Sequence, residues 1–183
     1  MSKVFKFGGA SVKNPKAIYN LKKIVSSCKE NLVIVISAID KTTNKLELVW
    51  KNYLENETLK SIEIATEIIK FHEAIIDELE LNNNAGFLKL FNDLTLELVD
   101  YIGAKTKQEN NISYSKIVSF GELFSTIIIS SYLNKEGVEN QWIDAREFIK
   151  TSKSATDSSV NWKETKRKIN SNLSKNKSYL TQG

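Results

Sequence analysis

Apolar residues recur along this chain in two periods, and the switches between them predict its elements. Val4, Phe5 and Phe7 make a short apolar run that Gly8 and Gly9 interrupt. From Asn14-Pro15 onward, Ile18, Leu21, Ile24, Val25 and Cys28 return every three or four positions. The order is strand, glycine turn and amphipathic helix over roughly 14–29, with Pro15 in the first turn, where its missing N–H costs nothing. Leu32-Val33-Ile34-Val35-Ile36 is unbroken and mostly β-branched, the pattern of a strand buried on both faces of a parallel sheet. Strand, helix and strand in this order predict a right-handed βαβ unit. From Leu46 to Gly103 the period is helical, broken at Glu55-Asn56-Glu57 and Asn82-Asn83-Asn84-Ala85-Gly86. Three helices fit, over about 44–54, 59–80 and 85–102, forming a helical subregion (about 44–104) inserted between βα units. A polar loop (105–111), one long apolar helix (115–135) stopped by Gly137, a third strand (139–143), a polar loop (151–159) and an amphipathic helix (162–173) follow. Ser178-Tyr179-Leu180-Thr181 opens a fourth strand. The class is α/β with a mainly parallel sheet. A strand of that kind needs a crossover and a neighbour, so these residues are expected to be part of a larger domain, incomplete at the C-terminus.

Ligands of such sheets bind beyond the carboxyl ends of the strands, where two polar loops fall. In Lys6-Phe7-Gly8-Gly9-Ala10-Ser11 the glycines have no side chains and tolerate positive φ, so backbone N–H groups can close around an anion near a helix N-terminus, with Lys6 adding charge. A tight turn with an incidental lysine is the plainer alternative, and the G-x-x-x-x-G-K-[ST] loop is absent. In Ser37-Ala38-Ile39-Asp40-Lys41-Thr42-Thr43-Asn44, hydroxyl and amide groups either hold a substrate or cap the next helix; both readings stand open. Glu122 sits among Ile117, Val118, Phe120, Leu123, Ile127 and Ile128. A buried carboxylate requires a partner, so Glu122 is either on the helix's polar side or an acceptor for a substrate ammonium group.

Charge and composition narrow the possibilities. The net charge of +4 invites a nucleic-acid reading, but 26 Lys and Arg are interspersed with 22 Asp and Glu, which supports at most a field favouring an anionic substrate such as a nucleoside triphosphate. Cys28 is the only cysteine and His72 the only histidine, which argues against a disulfide, a thiolate metal cluster and a Ser-His-Asp hydrolase. His72 reads as a surface or helix-packing residue. No apolar stretch is expected to span a bilayer and no signal-peptide core follows Met1, so a cytoplasmic protein is expected.

Five blocks in order carry a resemblance: Lys6-Phe7-Gly8-Gly9-Ala10-Ser11-Val12, residues 37–44, Ser119-Phe120-Gly121-Glu122-Leu123-Phe124-Ser125-Thr126, Asp144-Ala145-Arg146 and Thr181-Gln182-Gly183. Together they resemble the N-terminal, amino-acid-binding part of aspartate kinases, of the amino acid kinase family. The resemblance implies a three-layer αβα sandwich and transfer of a phosphoryl group from ATP, with Mg²⁺ bridging its phosphates, to the side-chain carboxylate of L-aspartate. The product would be 4-phospho-L-aspartate, on the route to lysine, threonine and methionine. Lys6, as catalytic residue, together with Gly8, Gly9 and Ser11, matches the ATP-phosphate positions, while Thr43 and Glu122 match the aspartate-binding ones, Glu122 facing the ammonium. The chain departs from the pattern at Asp40, usually glycine, at Thr156, where an arginine pairs with the substrate α-carboxylate, and at Asn161, where an aspartate helps hold the amino group. The family's second nucleotide segment and its regulatory ACT domains lie beyond the blocks matched, so activity of these residues alone is not expected. The competing expectation is a non-catalytic remnant or interaction subunit. Partners would be aspartate and ATP, with a homo-oligomer or a full-length kinase subunit as protein partner, and neither nucleic acid nor membrane.

Overall fold

Strands β1 (Lys3–Phe7), β2 (Leu32–Ile36), β3 (Gln141–Trp142) and β4 (Tyr179–Gln182) pair in the order β1-β2-β4-β3, all parallel. The computed structural model describes residues 3–105, 109–151 and 159–183. Consecutive strands are joined through helices, as parallel pairing requires. They are α1 (Pro15–Ser26), α2 (Thr42–Leu54), α3 (Thr58–Glu78), α4 (Ala85–Gly103), α5 (Asn110–Val118), α6 (Phe120–Lys135), the single-turn α7 (Ala145–Phe148) and α8 (Trp162–Asn172). Asn14 starts α1 by accepting the Ala17 N–H at 2.9 Å, and Asn84 does the same for α4 at the Phe87 N–H. Gly137, at φ +77°, ends α6, with the Val138 N–H reaching back to Leu133 O at 2.8 Å.

The sheet lies between helices. α6 packs on the face carrying Ile34, Ile36 and Leu180, and α1 joins it there through Tyr19 against Tyr132. On the opposite face α8 covers the β2–β4 side, Ile169 and Leu173 lying near Val33 and Tyr179. This is the αβα arrangement. β2 is nevertheless buried at alternate positions only, because cover on the second face stops short of β1, where Val4 is 66% exposed. The expected burial of β2 on both faces is corrected accordingly.

Helix α6 has no separate polar face along its middle, and its residues Leu123 to Ser130 are buried without interruption. Outside it stand α2 to α5. The single helix expected over 115–135 divides at Ser119. α5 starts earlier because Trp50 Nε1 donates to Ser113 Oγ at 3.0 Å and Tyr114 OH to Glu47 at 2.9 Å, drawing it onto α2, whereas α6 faces the sheet. Together Asn110–Lys135 is long and apolar enough to cross a membrane, contrary to expectation, but 61% of its most apolar window is buried inside the fold, as in a core helix. The third strand shrinks to two residues. Asn140 is taken up by α6 instead of the sheet, its N–H donating to Asn134 Oδ1 and its Oδ1 accepting from Ser130. His72 is fully buried between Phe71 and Phe124, with Nδ1 2.7 Å from the Ile68 carbonyl. It is therefore a packing histidine and not a surface one.

Candidate active site

Three loops converge at the carboxyl ends of β1, β2 and β4. The Ser37 N–H donates to Phe7 O and the Gly183 N–H to Ile36 O, both at 3.1 Å, carrying the ladder one step past the strands. Gly9 then packs onto the 37–44 loop so closely that a β-carbon there would lie 2.9 Å from Ala38 O and 3.1 Å from Asp40 O. Gly121 meets the same loop from α6, where a β-carbon would come within 3.0 Å of Ala38 Cβ. Glycine at these two positions is thus a matter of space. Neither Gly8 nor Gly9 uses positive φ, which corrects the conformational reading; Gly8 is extended, exposed and faces open space.

In the second loop, the residue that does take positive φ is Asp40, at +51°. That left-handed region is adopted readily by glycine and tolerated by Asp. None of Thr42, Thr43 and Asn44 caps α2. The cap is Lys41, without a side-chain bond, and Thr42 is buried with its hydroxyl donating to Ile39 O at 2.6 Å. Thr43 lies half-buried in the first turn of α2, apart from the cavity described next.

That cavity, of about 520 Å³, is bordered by Glu122 and Ser119 from the α5–α6 junction, Arg146 and Ile149 from the α7 region, and Gln182 and Gly183 from the end of β4. Glu122 is half-buried. Burial outweighs the opposing pull of the backbone amides of Ala38 and of Glu122 itself and pushes the carboxyl above its usual range. Arg146 is held from behind. Asp144 accepts Nε at 2.9 Å and Nη2 at 2.6 Å, and its side chain is 12% exposed against 43% for Arg146, so the far edge of the guanidinium is the accessible one. The paired carboxylate raises the Arg146 pKa further.

The Thr126 hydroxyl sets the distance between these walls. It donates to Glu122 O at 2.7 Å and accepts from Trp142 Nε1 at 2.9 Å and Gln182 Nε2 at 3.2 Å. Gln182 Oε1 in turn accepts the Ala145 N–H at 2.7 Å. One buried hydroxyl thereby ties the Glu122 turn to β3, β4 and the start of α7. Nothing in the sequence pattern marked Thr126, Gln182 or Arg146 for these roles, although all three lie within the matched blocks.

Lys6 is exposed, and its side chain lies across the end of β2: a β-carbon on Gly183 would be 3.6 Å from Lys6 Cε and 3.2 Å from Val35 Cγ1. Gly183 also borders the cavity, so it stands between the lysine arm and that space. Ser11 is exposed in the 3-10 turn Gly9–Val12, its N–H donating to Gly8 O at 2.8 Å. Thr156 falls outside the described residues. Asn161 caps α8, its Oδ1 accepting the Glu164 N–H at 3.0 Å.

The profile of the amino acid kinase family matches residues 1–183. The chain belongs to that family. Among curated relatives, it is 32% identical over 165 residues to Aspartokinase 1, chloroplastic, of Arabidopsis thaliana, covering 81% of this chain and 26% of the relative. It is 25% identical over 151 residues to the bifunctional aspartokinase/homoserine dehydrogenase 2 of Escherichia coli, covering 82% and 18%. Among solved structures, E. coli aspartokinase III in complex with lysine and aspartate aligns with a TM-score of 0.85 at 24% identity, over 100% of this chain and 40% of that one. The same enzyme with aspartate and ADP gives 0.83 at 23%. These likenesses establish an aspartokinase-like αβα fold for this member of the family. The chain spans less than a third of the length of these curated relatives.

Proposed function

We propose that this chain forms the amino-acid side and first phosphate loop of an aspartate kinase, which transfers a phosphoryl group from ATP to the side-chain carboxylate of L-aspartate. The observation that carries the reading is a half-buried carboxylate, Glu122, on a cavity that reaches Gly183, the residue against which the Lys6 arm lies. Phosphoryl transfer asks a protein for positioning and charge neutralisation more than for covalent chemistry. Glu122 receives the substrate ammonium, which leaves the side-chain carboxylate to extend toward Gly183 and Lys6. Lys6 offsets the charge of the phosphates, and Gly8 leaves the backbone open to them. Mg²⁺, when bound, would neutralise phosphate oxygens, carried on the nucleotide. The reading brings with it the cytoplasmic location and the biosynthetic role that the resemblance implied.

Calorimetric titration of the chain with L-aspartate tests this. Saturable binding is expected, falling by about tenfold to a hundredfold in Glu122→Gln, the worth of a charge-assisted hydrogen bond. It also weakens as pH drops, beginning above the usual carboxylate range, because a protonated Glu122 no longer attracts an ammonium group. Absence of binding, or indifference to Glu122→Gln, overturns the reading. It would favour instead a non-catalytic subunit that pairs through its helical layer, where Leu59 is 86% and Leu96 60% exposed.

A further inference from the structure

We infer that Arg146 is the specificity-determining residue that holds the α-carboxylate of the amino acid, so that Glu122 and Arg146 together read a zwitterion across the cavity. The inference rests on the aspartate reading above and adds to it a residue and a basis for substrate selection. Both side chains border the same space and form no ion pair with each other; Arg146 is paired with Asp144 instead, so Glu122 does not take up its guanidinium. Arg146 is also oriented. Asp144, itself largely buried, takes Nε and one Nη2 proton, leaving the Nη1 amine and the second Nη2 proton on the more exposed edge. A planar edge with fixed donors suits a carboxylate, which accepts two parallel N–H bonds.

The spacing of the pair is built in. Arg146 begins one residue after Ala145, whose N–H is fixed by Gln182, and Gln182 is fixed by the Thr126 hydroxyl, which also binds the Glu122 carbonyl. The anionic and cationic walls are thus two ends of one hydrogen-bonded chain. With the ammonium at Glu122 and the α-carboxylate at Arg146, the third substituent of the α-carbon is directed by elimination toward Gly183 and Lys6. A ligand lacking its α-carboxylate would keep the first and third contacts and lose the second.

β-Alanine, which is aspartate without that group, is therefore the diagnostic probe. Titrations of the full chain with L-aspartate and with β-alanine are expected to show a preference for L-aspartate of about tenfold to a hundredfold. In Arg146→Gln, L-aspartate affinity should fall to that of β-alanine while β-alanine affinity stays put. Arg146→Lys, which retains a charge for Asp144 but not the fork, should recover only part of the preference, and both variants should keep the wild-type near-UV circular dichroism. Equal weakening of both ligands, or L-aspartate binding that ignores the Arg146 changes, overturns the inference and leaves the aspartate reading standing. Failure of the wild-type chain to take up L-aspartate, or indifference to Glu122→Gln, removes that reading and the inference with it.

Discussion

The two flanks of the candidate site are built by opposite means. On one, Glu122, Thr126, Gln182 and Ala145 are linked by hydrogen bonds that run through a helix buried on nearly every side. On the other, Lys6, Gly8 and Ser11 are exposed, and Gly9 alone is held tightly against its neighbours. The first flank is positioned by the protein interior, so its geometry and the stability of the fold are one property. The second is a rim whose side chains contribute little to folding and are free to serve a ligand. A substitution on the buried flank should therefore cost stability, and one at an exposed rim position, Gly9 excepted, should cost binding alone.

The largest expected effect comes from His72, which supports the buried flank by packing on Phe124, two residues from Glu122. Burial lowers its pKa from the ordinary 6.5 to about 4, and its Nε2 has no hydrogen-bond partner among the described residues. The unfolded chain takes up a proton at His72 before the folded one does. Stability is thus full above about pH 6.5 and is lost as pH falls toward 4, by roughly 3 kcal/mol in all. Urea unfolding across that range should show the slope in the native chain, and a shallower one in His72→Phe. An equal slope in both would detach His72 from the acid response of this flank.

The glycine pair sharpens the contrast within a single turn. In Gly9→Ala the new methyl would press on backbone carbonyls of the 37–44 loop, an overpacking cost of about 1–3 kcal/mol. In Gly8→Ala it meets nothing within 4 Å at an extended φ of −77°, so the fold should be unchanged or gain up to about 1 kcal/mol. If the rim serves a nucleotide, titration with ATP should still find Gly8→Ala weakened. Thermal unfolding that ranked the two variants the other way would break the distinction between flanks.

A smaller effect is expected at Asp40, whose φ of +51° lies in the left-handed region. Asp40→Gly should relieve backbone strain and stabilise the chain by roughly 0.5–1 kcal/mol in denaturant titrations. Destabilisation would mean that the aspartate side chain compensates for its backbone, and that this loop belongs with the buried flank.

Much of the architecture is legible in the periodicity. α1 to α4, β1 and β2 fall close to the expected bounds because each has an unambiguous period and a marked end, such as Asn14-Pro15 or the Asn82–Gly86 break. The misreadings have a common cause in tertiary contacts. The helix expected over 115–135 divides because α5 and α6 face different neighbours, and β3 is short because Asn140 bonds to α6. For the proposed site, residue type and neighbourhood could single out Lys6, Gly8, Gly9 and Glu122 as candidates, of which Glu122 borders the cavity. Thr126, Gln182 and Arg146 could not, since a hydroxyl, an amide and a guanidinium are ordinary until the partners that face them are known.

By itself, then, the sequence determined the alternation of strands and helices, the parallel sheet, and the location of polar loops at the strands' carboxyl ends. These follow from local rules: apolar period, glycine and proline placement, and the chirality of the crossover. Tertiary structure decided which glycine is required by space and which is left open, that His72 is buried, and that Glu122 and Arg146 border one cavity at a spacing held by Thr126 and Gln182. Such facts depend on contacts between residues distant in the chain, which no local pattern encodes.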